Sequence, residues 1–247
     1  MRRYVPAALL GAAAIGIWEL VVRAFGVADY LWPAPSRVAR SLADDRSLLL
    51  SNGWVTLREI MLGLAIALAA GLAIGIVLHA SAHFRRAAYP LLVGSQAMPV
   101  VLLAPILVVA FGFDIGPKLA LVALVCFFPV VVGTVDGLRA VDAELVRMMR
   151  TLDASRLDVF RRVEFPSALP SIFSGARIAA TYAAVGAVFG EWSGSTSGLG
   201  WVMLQSQPAL LTARIFAAVV LLATISLVLF ALVSYAERVL VPWAFDA

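Results

Sequence analysis

One apolar run contains nineteen consecutive residues without a charge, Ile60-Met-Leu-Gly-Leu-Ala-Ile-Ala-Leu-Ala-Ala-Gly-Leu-Ala-Ile-Gly-Ile-Val-Leu78. The hydrocarbon core of a bilayer is about 30 Å thick, and an α-helix needs roughly 20 apolar residues to cross it. The run therefore predicts a membrane-spanning helix. The composition extends this conclusion to the whole chain, because 62% of the residues are hydrophobic, 14% are charged and the mean hydropathy is +0.97. We expect an integral membrane protein.

Five further uncharged runs occur along the chain, so the sequence predicts an all-α, polytopic protein with six transmembrane helices. We treat residues 1–247 as a single transmembrane domain with its core at about 52–236. The fifth run is short, and we expect it to extend back through 171–176 and to include Arg177, whose long side chain can reach the interface. The six predicted spans are residues 4–18 (extended to 22), 60–78, 89–113, 119–135, 178–190 and 215–236.

The basic residues are distributed unevenly between the two sides that these spans define. With the N-terminus inside, twelve of the nineteen Lys and Arg residues fall on the cytoplasmic side, where short basic loops are retained. We therefore predict that both termini are cytoplasmic and that residues 134–177 form the largest cytoplasmic feature. A basic membrane protein of this orientation needs no nucleic acid to explain its pI near 9.7.

Several kinds of catalytic and metal site lack their residues in this chain. His79 and His83 lie four positions apart, but no third ligand accompanies them, so we interpret them as interfacial residues and predict no metal site. The stretch 112–118 has Pro117 where a Walker A loop needs glycine, and Leu119 follows where serine or threonine would bind magnesium. We predict neither an enzyme nor a bound cofactor.

Small residues and prolines distinguish the apolar runs from simple hydrophobic anchors. Glycines at four-residue spacing predict close approach between helices. Prolines inside the third and fourth spans predict interruptions, which are typical both of helices that line a pathway and of ordinary helix packing. The glycine pairs are Gly71 with Gly75 and Gly186 with Gly190, and the prolines are Pro99, Pro105 and Pro129.

Charged residues beside the spans suggest mainly structural roles. Glu19 precedes Arg23 by four residues, the favourable order for an ion pair on one helix. Arg58 and Glu59 open the second span, and we expect them at head-group depth.

Five residues are candidates for the pore or its gate. Glu191 and Trp192 close the fifth span and precede a stretch rich in serine and glycine, 193–200, which we interpret as flexible and as either an outer gate or a turn. Gln96 is an amide in a long apolar run, although a hydrogen bond between helices explains it nearly as well. The candidates are Gln96, Met98, Pro99, Glu191 and Trp192.

The polar segment between the fourth and fifth spans carries seven arginines within residues 134–177. Its centre reads Asp142-Ala-Glu-Leu-Val-Arg-Met-Met-Arg-Thr-Leu-Asp-Ala-Ser-Arg-Leu-Asp-Val-Phe-Arg-Arg-Val-Glu-Phe-Pro-Ser-Ala-Leu-Pro170. We predict two short helices, 142–151 and 155–162, with a bend at 153–154 and a stop at the two prolines, Pro166 and Pro170. Such a segment is either a solvated basic loop at the head groups or a docking element for a cytoplasmic partner.

The spacing of this segment resembles the cytoplasmic signature of the permease subunits of bacterial ABC importers. That signature reads Glu-Ala-Ala, three residues, Gly, nine residues and Ile-x-Leu-Pro. Arg147-Met-Met149 occupies the first three positions, Asp153 the glycine, and Val163-x-Phe165-Pro166 the end. Aspartate at the glycine position is a departure, but it tolerates a left-handed bend better than most residues.

The resemblance covers nearly the whole chain and points to the branch that serves nitrate, sulfonates, taurine, thiamine precursors and riboflavin. Within that branch the chain looks closest to the pyrimidine and riboflavin side. The stretches that carry the resemblance include Leu31-Trp-Pro-Ala-Pro-Ser-Arg-Val38, Gln96-Ala-Met-Pro99, Phe127-Phe-Pro129, Asp136-Gly-Leu138, Thr151-Leu-Asp-Ala-Ser155, Pro166-Ser-Ala-Leu-Pro170, Gly190-Glu-Trp192 and Gly198-Leu-Gly200.

The resemblance implies a type I importer permease with the MetI-like fold, in which a coupling helix lies between helices 4 and 5. It implies a homodimeric pore in the bacterial inner membrane, two cytoplasmic ATPase subunits and an extracytoplasmic substrate-binding protein. It also implies that the following residues contact the ATPase: Arg147, Met148, Met149, Thr151, Leu152, Asp153, Ala154, Ser155, Arg156, Phe160 and Pro166.

Other functions stay open at the level of the sequence. The expected substrate is a pyrimidine thiamine precursor or a riboflavin-like compound, with a sulfonate, taurine or nitrate as the alternative. A passive channel or secondary transporter would need no ATPase, but it would need a membrane-buried ion site or an inverted repeat. A membrane enzyme would have only Glu191, Ser193, Ser195 and Thr196 from which to build a polar site.

Overall fold

A computed structural model of the protein describes residues 5–245, and the regular elements among them are all helical. A 3₁₀ turn at Val100–Leu102 precedes α5, a π turn at Phe160–Glu164 joins α8 to α9, and a second 3₁₀ turn, Pro242–Ala244, follows α11. The α-helices are α1 Val5–Ala24, α2 Pro35–Asp44, α3 Arg46–Ala80, α4 Ala82–Ser95, α5 Leu103–Phe111, α6 Ile115–Arg139, α7 Ala143–Thr151, α8 Arg156–Val159, α9 Phe165–Trp192, α10 Leu199–Ser206 and α11 Thr212–Leu240.

The described residues contain four helices that are long and apolar enough to cross a membrane, namely α3, α6, the continuous run Arg156–Trp192 and α11. A fifth crossing is formed if α4 and the stretch Val100–Phe111 count as one broken span, bent by 80°. The predicted all-α membrane architecture is therefore confirmed. Helix α1 also has the length of a span at 20 residues, and six crossings remain a prediction.

The prolines interrupt the spans at one of the three predicted places. Helix α4 ends at Ser95 and the chain turns at 96–99, so the predicted break at Pro99 is confirmed. Pro105 lies in the first turn of α5, where a missing N–H breaks no helical hydrogen bond. Pro129 lies inside α6 without ending it, so the prediction of an interrupted fourth span is wrong.

The core is built on α6 and α9, which run antiparallel and pack against α3. Both predicted glycine pairs mark close approaches in this core. A Cβ on Gly71 of α3 would lie 2.7 Å from Val130 Cγ1 of α6, and one on Gly186 of α9 would lie 2.8 Å from Val122 Cα. Since real Cβ atoms do not approach other atoms so closely, glycine is required for these helices to touch.

Helix α9 does not stop at the prolines of the polar segment, contrary to the prediction for Pro166 and Pro170. The π turn before it replaces the usual hydrogen bonds with a wider one, from Phe165 N–H to Phe160 O. A wide turn at this point relieves the clash that Pro166 would otherwise make with the preceding turn. The expected backward extension of the fifth span through Arg177 is confirmed, since α9 is continuous from Phe165 to Trp192.

The first helix is attached to the bundle through α2. The predicted Glu19–Arg23 ion pair is present at 2.5 Å, and the Glu19 carboxylate also accepts hydrogen bonds from Ser36 N at 2.9 Å and Ser36 Oγ at 2.7 Å at the start of α2. After α2, Asp45 accepts a hydrogen bond of 2.6 Å from Arg214 of α11, which lowers the pKa of that carboxyl. Helix α2 is thus fixed at both ends by charged contacts.

Candidate functional site

Two polar sites lie at opposite ends of the α6–α9 pair. The first is residues 142–164, here named the arginine-rich segment, which connects the C-terminus of α6 to the N-terminus of α9. The second lies where α6 begins and α9 ends, and we name it the Glu191 cluster. It consists of the side chains of Asn52, Thr56, Glu59, Lys118 and Glu191 with the backbone of residues 198–200.

Side-chain caps define the helices of the arginine-rich segment. Asp142 accepts a hydrogen bond of 2.8 Å from Glu144 N at the start of α7, and Ser155 accepts one of 3.2 Å from Asp158 N at the start of α8. Such caps satisfy N–H groups that have no partner within the helix. Between the helices, Asp153 has a φ of 56°, so the predicted left-handed bend is found at the predicted residue.

Most of the residues predicted to contact an ATPase are open to solvent. Leu152 is 71% exposed and Met148 is 54% exposed, as is Leu157 at 56%, which the sequence analysis did not select. Exposed apolar side chains among arginines are typical of a surface that a partner covers. Arg147, Met148, Thr151, Leu152, Asp153, Ser155 and Arg156 are exposed, whereas Met149, Ala154, Phe160 and Pro166 are partly buried.

Phe160 has a packing role within the chain. Its ring lies 5.8 Å from that of Phe165, and it packs against a buried cluster of Leu138, Ala168 and Ile172. The side chain therefore holds the π turn against α6 and α9. Removing it would disturb the fold as well as any contact with a partner.

A cleft of about 580 Å³ separates the arginine-rich segment from the C-terminal end of α3. His79 of α3 approaches Glu164 of the π turn across it, with 3.2 Å between Nε2 and Oε2. The contact gives His79 a partner that the sequence analysis did not foresee. Through it, the end of α3 is tied to the segment. The cleft is lined by Ile76, His79, Ala80, Arg150, Arg156, Leu157, Val159, Phe160 and Glu164.

Glu191 is the centre of the second site and is 1% exposed. Its Oε1 accepts a hydrogen bond of 2.6 Å from Thr56 Oγ1, and its Oε2 accepts one of 2.5 Å from Gly200 N. Thr56 Oγ1 in turn accepts a hydrogen bond of 2.8 Å from Leu199 N. Glu191 thus joins the end of α9 to α3 and to the first turn of α10.

The stretch 193–200 is held by these contacts and by two more. Asn52 Oδ1 accepts a hydrogen bond of 2.7 Å from Gly198 N, and Trp192 Nε1 donates one of 3.0 Å to Gly200 O. Gly198 has a φ of 108°, and a Cβ at this position would overlap the Glu191 carboxylate. The end of the stretch, 198–200, is therefore bonded to α3 and α9, and its flexibility and its role as a gate or a turn stay predictions.

An ion pair between α3 and α6 completes the cluster. Lys118 Nζ donates a hydrogen bond of 2.7 Å to Glu59 Oε1, and the two side chains are 11% and 2% exposed. Among residues 5–245, Glu59 Oε2 has no hydrogen-bond partner. The sequence analysis did not pair these residues, although one signal was present: Lys118 is the single lysine of the chain and directly precedes an apolar run.

The five candidates for a pore or gate do not converge. Gln96, Met98 and Pro99 are exposed at the break between α4 and α5. In the part of the chain that the structure describes, no hydrogen bond joins them to Glu191 or Trp192, which belong to the other site. A gate role for these five residues stays a prediction.

The chain matches the family described as the binding-protein-dependent transport system inner membrane component over residues 56–245. It belongs to this family. The chain is therefore a multi-pass permease subunit of an ABC importer in the inner membrane, which works with ATPase and substrate-binding partners and leaves ATP hydrolysis to the former. The predicted family is confirmed.

Curated relatives carry several substrate names. The formylaminopyrimidine transport permease protein ThiX of Halalkalibacterium halodurans is 36% identical over 92% of this chain and 91% of its own length. The riboflavin transport system permease protein RibX of Chloroflexus aurantiacus is 38% identical over 66% of this chain and 62% of its own. The putative aliphatic sulfonates permease SsuC of Bacillus subtilis is 30% identical over 95% of this chain and 86% of its own.

A solved structure supports the fold independently. A chain of the MetNI methionine ABC transporter, in an inward-facing conformation, superposes with a TM-score of 0.66 at 20% identity and covers 81% of this chain and 97% of its own. This agreement confirms the predicted MetI-like fold.

Proposed function

We propose that this permease imports a small heteroaromatic solute, a pyrimidine thiamine precursor or a riboflavin-like compound, and that the arginine-rich segment is its docking element for the ATPase. Both termini are then cytoplasmic, and two copies of the chain form the pore with two ATPases and one binding protein. The observation that carries the docking role is the solvent exposure of apolar and basic side chains on a segment with capped helices.

The continuity of the segment with α9 explains how docking would act on the membrane part. The run Arg156–Trp192 has 37 helical residues, which corresponds to about 55 Å at 1.5 Å per residue. Movement of the segment by the ATPase would therefore reach the Glu191 cluster at the far end of the same helix. The His79–Glu164 contact would carry the same movement to α3. ATP-driven closure of the ATPases would turn the pore outward, and hydrolysis would reset it.

Co-purification with the cognate ATPase tests the docking role. Leu152→Ser removes exposed apolar surface from the segment without touching the packing of Phe160, and we expect the solubilised permease to lose most of its bound ATPase. Leu31→Ser is the matched control, because Leu31 is 63% exposed on the other side of the predicted membrane, and it should keep the ATPase. Equal retention by the two variants would contradict the docking role.

The proposed substrate class rests on how similar this chain is to each named relative and on how much of both chains the match covers. The formylaminopyrimidine permease aligns over nearly the whole of both chains, whereas the sulfonate relative does so at lower identity. We expect cells that express the complete transporter to accumulate labelled formylaminopyrimidine, and excess unlabelled taurine or aliphatic sulfonate should not compete. Competition by the sulfonate, with no uptake of the pyrimidine, would support the alternative substrate class instead.

A further inference from the structure

A second cleft opens on the face of α6 and α9 away from α3, in the half of the membrane nearer to the arginine-rich segment. It encloses about 420 Å³, within the range of roughly 300–1,000 Å³ that is usual for small-molecule sites. Its position differs from that of the five pore candidates, and neither polar site described above includes it. The cleft is lined by Phe128, Pro129, Val132, Gly133, Asp136, Ser171, Ser174, Gly175 and Ile178.

The floor of the cleft is rigid because the two helices touch there. A Cβ on Gly133 would lie 2.8 Å from Ser171 O and 3.1 Å from Gly175 Cα, so only glycine allows this contact. A Cβ on Gly175 would likewise overlap Pro129 O across the same contact. The two touching helices therefore form the floor of a preformed groove.

Three polar side chains face the groove without partners in the chain. The Asp136 carboxylate is exposed and forms no ion pair among residues 5–245, although Arg139 follows it by three positions. In the same described residues, the side chains of Ser171 and Ser174 make no hydrogen bond within the chain. Polar groups on a membrane helix that are not satisfied internally indicate a water-lined or ligand-lined surface.

The exposed face of α9 continues from the cleft toward the Glu191 cluster. Ile178, Tyr182 and Val185 follow Ser174 on this face and are 48%, 52% and 45% exposed. The exposed side chains of α11 between Val219 and Leu232 are apolar except for Thr224, as expected for contact with lipid. The face of α9 adds the Tyr182 hydroxyl to the hydroxyls of Ser171 and Ser174 in the cleft, which suits a solute pathway better than contact with lipid.

We infer that this cleft is a solute-binding subsite on the translocation pathway, where Asp136 accepts a hydrogen bond from an amine of an aminopyrimidine, Ser171 and Ser174 bind its ring nitrogens, and Phe128 packs against its ring. The inference rests on the proposed function and adds the residues that select the substrate. An unpaired carboxylate repels sulfonate and nitrate, so the same cleft disfavours the anionic alternatives.

Charge reversal of the carboxylate is the first arm of the test. Uptake of labelled formylaminopyrimidine is measured in cells that express the complete transporter with the permease Asp136→Lys. Loss of a hydrogen bond to a charged group corresponds to at least about a tenfold fall in uptake. Asp114→Lys makes the same charge change at the other end of α6, outside the cleft, and should leave uptake unchanged. Unaltered uptake by Asp136→Lys would overturn the assignment.

Thiol labelling is the second arm and does not depend on transport. The chain has one cysteine, Cys126, which is buried and should not react with the reagent. Any labelling therefore reports the introduced cysteine. Ser174→Cys should react with a charged thiosulfonate in inverted membrane vesicles, and formylaminopyrimidine should slow the reaction. Leu227→Cys on the lipid-facing side should stay unreactive. An unreactive Ser174→Cys would show that the face is covered by lipid or by a second chain, contrary to the inference.

The two arms separate the cleft from the proposed substrate. If wild-type transporter accumulates formylaminopyrimidine and Asp136→Lys does so equally, the proposed function stands and the cleft assignment fails. If wild type accumulates no formylaminopyrimidine and the compound does not protect Ser174→Cys, both the substrate class and the ligand assigned to the cleft fail.

Discussion

The Glu191 cluster and the arginine-rich segment occupy opposite ends of α9, and they differ in how their polar groups find partners. In the Glu191 cluster, Thr56, Asn52 and Lys118 all bond to other parts of the same chain, and their side chains are buried. In the arginine-rich segment, Leu152 and Arg156 are exposed. One end of the helix is completed by the chain itself, and the other carries the exposed surface that we propose as the docking element for the ATPase.

Because of this difference, we expect mutations at the two ends of α9 to have different consequences. Changes in the Glu191 cluster should act on the folding of the permease, because buried polar groups lose their partners. Changes on the exposed surface of the arginine-rich segment should leave folding nearly unchanged and act on assembly.

The largest effect is expected for Lys118→Met, which leaves the buried Glu59 carboxylate without its cation. Breaking one side of a buried ion pair destabilises proteins by about 3–5 kcal/mol. We expect a correspondingly lower midpoint in thermal unfolding of the purified permease in detergent. The double variant Lys118→Met with Glu59→Met should recover most of the loss, because the unpaired charge is removed. A double variant no more stable than the single one would contradict this account.

A smaller loss of folding stability is expected for Gly198→Ala. The backbone there has a φ of 108°, and a methyl group would overlap the Glu191 carboxylate, so strain and displaced hydrogen bonds together amount to roughly 3 kcal/mol. We expect a protease of broad specificity to cut the variant within 193–198, and we expect the wild type to resist cleavage there. Gly94→Ala is the control, because no atom lies within 4 Å of the added Cβ. We expect the stability of α4, and of the protein, not to fall in this variant. If the two variants were equally stable and equally resistant to proteolysis, the close contact between Gly198 and the Glu191 carboxylate would have no energetic consequence.

The smallest effect is expected at the bend of the arginine-rich segment. Asp153 has a φ of 56° and is exposed, so Asp153→Gly fits the backbone without strain, whereas Asp153→Ala places a methyl group in a left-handed conformation. The two variants should differ by about 1 kcal/mol in unfolding free energy, with glycine the more stable. Should alanine prove as stable as glycine, the left-handed bend would have no energetic consequence.

The sequence predicted the arginine-rich segment better than it predicted the Glu191 cluster. At the arginine-rich segment, the caps and the bend depend on neighbouring residues, and the helix starts near 142 and 155 and the turn at Asp153 were predicted correctly. The continuation of the helix past Pro166 was missed, because proline normally ends a helix and the π turn that accommodates it has no clear sequence pattern.

The Glu191 cluster was only partly accessible from the sequence. Glu191 attracted notice as a charge at the end of an apolar run, but its partner Thr56 comes from α3, more than 130 positions earlier in the chain. Such a contact depends on how α3 packs against α9, and no local periodicity reports it. The bonds of 198–200 to α3 and α9 were missed for the same reason, since glycine and serine in a sequence do not show which side chains will bind their N–H groups.

By itself, the sequence determined that this protein lies in the membrane as a bundle of helices, because the hydrophobic effect acts on composition and each spanning helix satisfies its own backbone hydrogen bonds. It also determined the capped, basic segment and, through its motifs, the transporter family. Only the tertiary structure decided which charges are buried together, which glycines touch a neighbouring helix and which polar face of α6 and α9 stays open. Those outcomes depend on helix packing, where residues far apart in the chain compete for the same few contacts.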